Sequence, residues 1–144
     1  MQRTRDGYLV TDDESRLDLT TVHRWLSESA YWSLGRTLEQ VIESCRRSRV
    51  YGVLDPSGQQ VAFGRVITDH VTFAYICDVF VAEATRGQGV GRFLLDFMLD
   101  DLRRLRVPQV VLATRDAHEF YRQAGFGPLA NPQRWLELDA SVPR

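Results

Sequence analysis

The chain has 144 residues, 44% of them hydrophobic, and a formal net charge of −1 at pH 7. That length suits one domain over residues 1–144, able to bury about two thirds of its unfolded surface. The near-neutral charge is carried by scattered arginines with no lysine, which excludes the basic footprint of a nucleic-acid binder. Cys45 and Cys77 give neither metal spacing nor a disulfide framework, so reduced thiols and no metal are expected.

The first six residues lack the apolar run of a signal peptide, and no stretch approaches the roughly 20 apolar residues that cross a bilayer. A cytoplasmic protein without a membrane partner is the expectation. Residues 8–11 read as a first strand, and residues 12–15 as a loop before a helix that starts at Asp18 or Thr20, with Val22, Trp25, Leu26 and Ser29 on one face. Tyr31-Trp32-Ser33-Leu34-Gly35 interrupts it. Thr37 can cap a second helix through residue 47, with Leu38, Val41, Ile42 and Cys45 at helical spacing. Residues 50–54 and 60–68 are strands around the turn Asp55-Pro56-Ser57-Gly58, and residues 72–81 form the next strand. A long helix over 89–105 carries Phe93, Leu94, Phe97, Met98, Leu102 and Leu105, ends in the basic cluster Arg103, Arg104 and Arg106, and is closed by Pro108. Residues 110–114 form a fifth strand, 117–123 a short helix stopped by Gly125, and 134–138 a final strand. The order β-α-α-β-β-β-α-β-α-β predicts an α/β fold, a mixed sheet covered by helices.

Chemistry concentrates where the strand ending near Val81 meets the long helix, in Arg86-Gly87-Gln88-Gly89-Val90-Gly91-Arg92. Three alternating glycines remove side chains where the backbone turns, so consecutive N–H groups can converge on a phosphate at the positive end of the helix. Arg86 and Arg92 flank it with charge. A dinucleotide fold would want Gly-x-Gly-x-x-Gly after a first strand, whereas here the third glycine comes one residue early. A phosphate loop of the Gly-Lys-Ser/Thr kind fails outright for want of lysine.

The segment from Arg86 to Gly91 matches the Arg/Gln-x-x-Gly-x-Gly/Ala signature of the GNAT superfamily of acetyl-CoA-dependent N-acyltransferases. Val79-Phe80-Val81-Ala82-Glu83 resembles that family's fourth strand. Residues 114–126 are similar to its later Asn-x-x-Ala-x-x-x-Tyr-x-x-x-Gly-Phe segment, with Thr114 replacing Asn. The resemblance covers nearly the whole chain and implies a GNAT-like fold. It also implies that the backbone of Arg86, Gly87, Gln88, Gly89, Val90, Gly91 and Arg92 seats the pyrophosphate of acetyl-CoA. Val79, Phe80 and Val81 would pair with the pantetheine arm and polarise the acyl carbonyl, while Thr114, Ala117, Phe120 and Tyr121 would complete the donor site.

Tyr121 is then the candidate general acid, since a phenol with pKa about 10 can protonate a thiolate whose thiol pKa is about 8.5. Asp78, Glu83 and His118 are candidates for taking the amine's proton. Asp78 stands inside an apolar strand, where an acid is either functional or tied into a structural network. Tyr31, Trp32, Arg65, Phe73 and Tyr75 are expected on the acceptor side, with Arg36 and Arg65 able to meet an acceptor carboxylate. The expected activity is direct transfer of acetyl to a primary amine of a small molecule or peptide. A non-catalytic acyl-CoA-binding module and transfer of a larger acyl group stay open, and the resemblance allows a homodimer.

Overall fold

In the computed structural model, which describes residues 1–142, the chain opens with a hairpin. Strands β1 (Gln2–Arg5) and β2 (Tyr8–Thr11) pair antiparallel around Asp6 and Gly7, whose φ values of 51° and 82° are those of a two-residue type I′ turn. The sequence pattern leaves β1 unread. Gln-Arg-Thr-Arg is exposed at every position and has no apolar alternation to betray a strand.

Helix α1 (Leu19–Glu28) starts at Asp18, whose carboxylate accepts from the N–H groups of Thr20 and Thr21. Helix α2 (Leu38–Arg46) starts in a reciprocal cap between Thr37 and Gln40. Strands β3 (Arg49–Leu54), β4 (Gln60–Thr68) and β5 (Ala74–Val81) follow as an antiparallel run. The Asp69 carboxylate gathers the N–H groups of Val71, Thr72 and Phe73, which holds these residues in a loop and delays β5 to Ala74 rather than Thr72. Helix α3 (Val90–Arg104) crosses over to β6 (Val110–Val111), which pairs parallel with Ala74 and Tyr75 of β5. The sheet is six-stranded in the order β1-β2-β3-β4-β5-β6, mixed as expected.

The sheet is covered on both faces. Val22, Leu26 and Ala30 from the α1 side join Val41 and Cys45 of α2 against Val50, Phe63 and Phe80. On the opposite face, Gly64 lets α3 approach so closely that a Cβ there would stand 2.7 Å from Met98 Sδ.

Contacts divide the chain into two compact units, Met1–Ala113 and the segment from Thr114 onward. The second holds α4 (His118–Gln123) and a 3-10 turn at Pro132–Arg134. Residues 134–138 do not form the expected strand. Their backbone has no ladder partner among the described residues, and Leu136 and Leu138 are 98% and 75% exposed, so alternation here marks no buried face.

Candidate functional site

The β5 strand carries a break in its ladder. Phe63 pairs with Phe80 and Arg65 with Cys77, so Asp78 and Val79 together oppose Gly64 in a β-bulge. Asp78 takes φ 52°, a left-handed conformation that is uncommon inside a strand and is held here by the surroundings of its side chain. Those surroundings are explicit. Asp78 Oδ1 accepts from Trp32 Nε1 at 2.9 Å, and Oδ2 accepts from Arg36 Nη1 and Arg65 Nε at 2.8 Å each. The carboxylate is 2% exposed and is fully bonded to two guanidinia and an indole.

Past Tyr75, no strand pairs with β5 on its β6 side among the described residues, because β6 ends after two residues. The segment from Ile76 to Val81 therefore presents an open edge that runs straight into the glycine loop. Gly87 and Gly89 have φ of 80° and 79°, and Gly89 caps α3 without any side-chain acceptor. Residues 86–89 form turns, and the N–H groups of Gly87, Gln88, Gly89, Val90, Gly91 and Arg92 make no hydrogen bond of ordinary length and angle among the described residues. They lie at the positive end of a 15-residue helix, where an anion is the favoured acceptor.

The flanking arginines are placed differently. Arg86 folds back, donating from Nε to the Val81 carbonyl at 3.0 Å and lying over the Phe80 ring, while Arg92 pairs with Asp96 one helical turn on. The sequence reading missed Arg5 and Tyr8, which reach the same loop. Arg5 Nη2 donates to the Gly89 carbonyl at 2.9 Å, and the Tyr8 hydroxyl donates to Gln88 Oε1 at 3.2 Å. No local signal in a hairpin 84 and 80 residues earlier in the chain could have revealed them.

Glu83 opens the short turn Glu83–Thr85 after β5 and is exposed. Tyr31 and Trp32 stand edge to face at 5.1 Å in the turn Tyr31–Ser33, both partly open to solvent. Arg65 is buried, with Nη1 on Ser48 Oγ as well as Nε on Asp78, so two of its donors are engaged inside the fold. Phe73 lies just before β5 with its carbonyl accepting from the Thr68 hydroxyl. Tyr75 is half-buried on β5, and burial, followed by the neighbouring Cys77 and Asp78, raises its phenol above the ordinary range. Burial likewise pushes the Cys45 and Cys77 thiols up to about 11 against the opposing pull of Arg65. Neither is a thiolate at neutral pH.

In the second unit, the Thr114 hydroxyl oxygen accepts from the N–H of Ala117 at 3.1 Å and shapes the entry to α4. Tyr121 sits on α4 with its ring edge to face against both Phe120 and Phe126, at 5.0 and 5.8 Å. His118 begins the helix, exposed. No group of three or more His, Cys, Asp or Glu side chains among the described residues is placed to hold a metal ion.

Residues 19–126 match the family model described as the acetyltransferase (GNAT) family. A Gibberella zeae protein whose own acetyltransferase assignment is provisional is 28% identical over 142 residues, covering 85% of this chain and 80% of the relative. A solved structure from Xanthomonas campestris pv. campestris, provisionally assigned to the same family, is 37% identical with a TM-score of 0.86 over 91% of this chain and 92% of that one. A Staphylococcus aureus structure shares the fold at 20% identity and a TM-score of 0.73, covering 92% of this chain and 98% of that one. The glycine loop, the sheet order and the extent of these matches agree, and the chain belongs to the GNAT acetyltransferase family.

Proposed function

We propose that this protein transfers the acetyl group of acetyl-CoA directly to a primary amine. The observation that carries the reading is the open edge of β5 leading into the N–H groups of the glycine loop at the start of α3, none of which makes a hydrogen bond of ordinary length and angle among the described residues. A pyrophosphate is the anion such donors suit, and the amide-rich pantetheine arm can pair with the free strand edge as an added strand would. The bulge at Asp78 and Val79 turns main-chain groups out of the ladder beside the place where the thioester carbonyl would lie. An N–H of that segment can polarise the carbonyl and hold the oxyanion.

The amine nitrogen attacks the carbonyl carbon, the tetrahedral intermediate expels the thiolate, and Tyr121 supplies the proton that leaves a neutral thiol. The amine's own proton passes through water to Glu83, the acid that stands exposed at the end of the strand. Asp78 holds the bulge rather than taking the proton, since both its oxygens are occupied. The high thiol pKa values of Cys45 and Cys77 support transfer without an acyl-cysteine intermediate.

The acceptor reading follows from charge. One carboxylate, Asp78, faces two guanidinia, so the cluster keeps a surplus positive charge. Arg36 spends only Nη1 and is 23% exposed beside Trp32, which is 42% exposed. Arg36, rather than the engaged Arg65, is thus the group for an acceptor carboxylate, against an aromatic wall. Thiol release from acetyl-CoA, measured across amino acids, their amides, polyamines, aminoglycosides and peptides, tests the proposal. Carboxylated amines should react best, and Arg36→Gln should erase their advantage over the matched amides. Saturable acetyl-CoA binding with no thiol release from any amine would replace the enzyme by an acyl-CoA-binding module.

A further inference from the structure

Arg3 and Arg5 lie two residues apart on one face of β1, and each guanidinium stacks on an aromatic ring of α3, Arg3 over Phe97 at 5.5 Å and Arg5 over Phe93 at 4.5 Å. Their electrostatic situations differ. Arg3 pairs with Asp100 at 2.9 Å, within the second half of the helix. Among the described residues Arg5 has no acidic partner; its hydrogen bond goes to the Gly89 carbonyl, at the helix end where the macrodipole already places positive charge. The helix dipole opposes a cation held there, and an anion in the loop would attract it. The geometry also grips the loop itself. Gly89 is a left-handed cap with no side-chain hydrogen bond of its own, and the hairpin holds it through Arg5 and its neighbour Gln88 through Tyr8.

We propose that Arg5 is a positioning residue for the acyl donor: from the first strand it fixes the Gly89 turn, so that the loop's N–H groups converge on the donor's phosphates, and it adds the charge that attracts them. The inference rests on the donor reading given above. Pre-ordering the loop lowers the entropic cost of binding, and the added charge acts within a Debye length of about 10 Å.

Calorimetric titration with coenzyme A, alongside steady-state acetyl transfer, tests the role. Arg5→Ala should weaken coenzyme A binding by about tenfold and raise the KM for acetyl-CoA in parallel, with kcat at saturation unchanged within about twofold. Arg5→Lys should recover most of the affinity. Arg3→Ala, which removes an ion pair and a stacked guanidinium from the same helix away from the loop, should leave it intact. Wild-type affinity should also fall more steeply with salt than that of Arg5→Ala. Equal weakening by Arg3→Ala and Arg5→Ala, or unchanged affinity in Arg5→Ala, would overturn the role. Should Arg5→Ala fail to fold, equal affinities in Arg5→Gln and Arg5→Lys would overturn it instead. A wild type with no affinity for coenzyme A would sink the donor reading itself, whereas normal wild-type binding with an indifferent Arg5 would sink only this inference.

Discussion

At the scale of single residues, Asp78 ties the fold to the proposed site. Removing it leaves two guanidinia, one of them buried, facing each other without a counter-charge and frees a backbone held in a left-handed turn. Breaking a buried ion pair from one side costs roughly 3–5 kcal/mol, so Asp78→Ala and Asp78→Asn should both lower the melting temperature markedly. A variant that melts like wild type but loses kcat would instead make Asp78 the base. Tyr121→Phe should behave in the opposite manner, with stability kept and turnover reduced by roughly 10²–10⁴. Unchanged turnover in a chemistry-limited assay would remove the general-acid role. The sequence could show that an acid inside an apolar strand needs partners. It could not show that the partners are Trp32 and Arg36, 46 and 42 residues earlier, because nothing local couples them.

Elements were legible in proportion to how much of their pattern is local. Helix α3 declared itself through its apolar spacing and its glycine start, and the caps at Asp18 and Thr37 are written in the residue types. Strand β1 was hidden because its stability comes from pairing with β2 and from arginine stacking on α3, neither of which leaves an apolar alternation. The bulge in β5 was hidden for the complementary reason, since a ladder irregularity depends on Gly64 across the sheet. That glycine supports a prediction at this scale. Gly64→Val forces a branched side chain against Met98 and Leu94 and should destabilise the fold by about 1–3 kcal/mol in denaturant titration, whereas Gly127→Ser, at an exposed position where an added Cβ meets open space, should cost less. Equal costs would contradict the close approach of α3 to β4.

For the molecule as a whole, a second buried carboxylate ties the sheet to α3. Asp101 is fully buried and accepts from Arg49, Tyr51 and Arg104. Burial alone would raise its pKa, and the bonds from Tyr51, Arg104 and Arg49 together outweigh that effect and lower it. With a folded pKa below the unfolded value of about 3.9, its contribution is fully present above about pH 5 and fades as pH falls toward the folded value. The stability gap between wild type and Asp101→Asn should therefore be largest near neutrality and shrink by pH 3 in urea titrations. A gap that widens on acidification would reverse the sign and refute the assignment.

The proposed donor site is a short motif of neighbouring residues, which is why a sequence can display it. The proposed acceptor side is assembled from residues far apart in the chain, and its charge balance depends on Asp78 standing between Arg36 and Arg65. The central claim is that the loop from Arg86 to Arg92 seats the phosphates of an acyl-CoA. Titrating the wild-type protein with coenzyme A and with pantetheine, which lacks every phosphate, tests it without disturbing the fold. Saturable binding of coenzyme A, tighter than pantetheine by about a hundredfold or more, is the predicted result, from at least two charge-assisted contacts of roughly 1.5 kcal/mol each. Equal affinity for the two ligands, or none for coenzyme A, would contradict it.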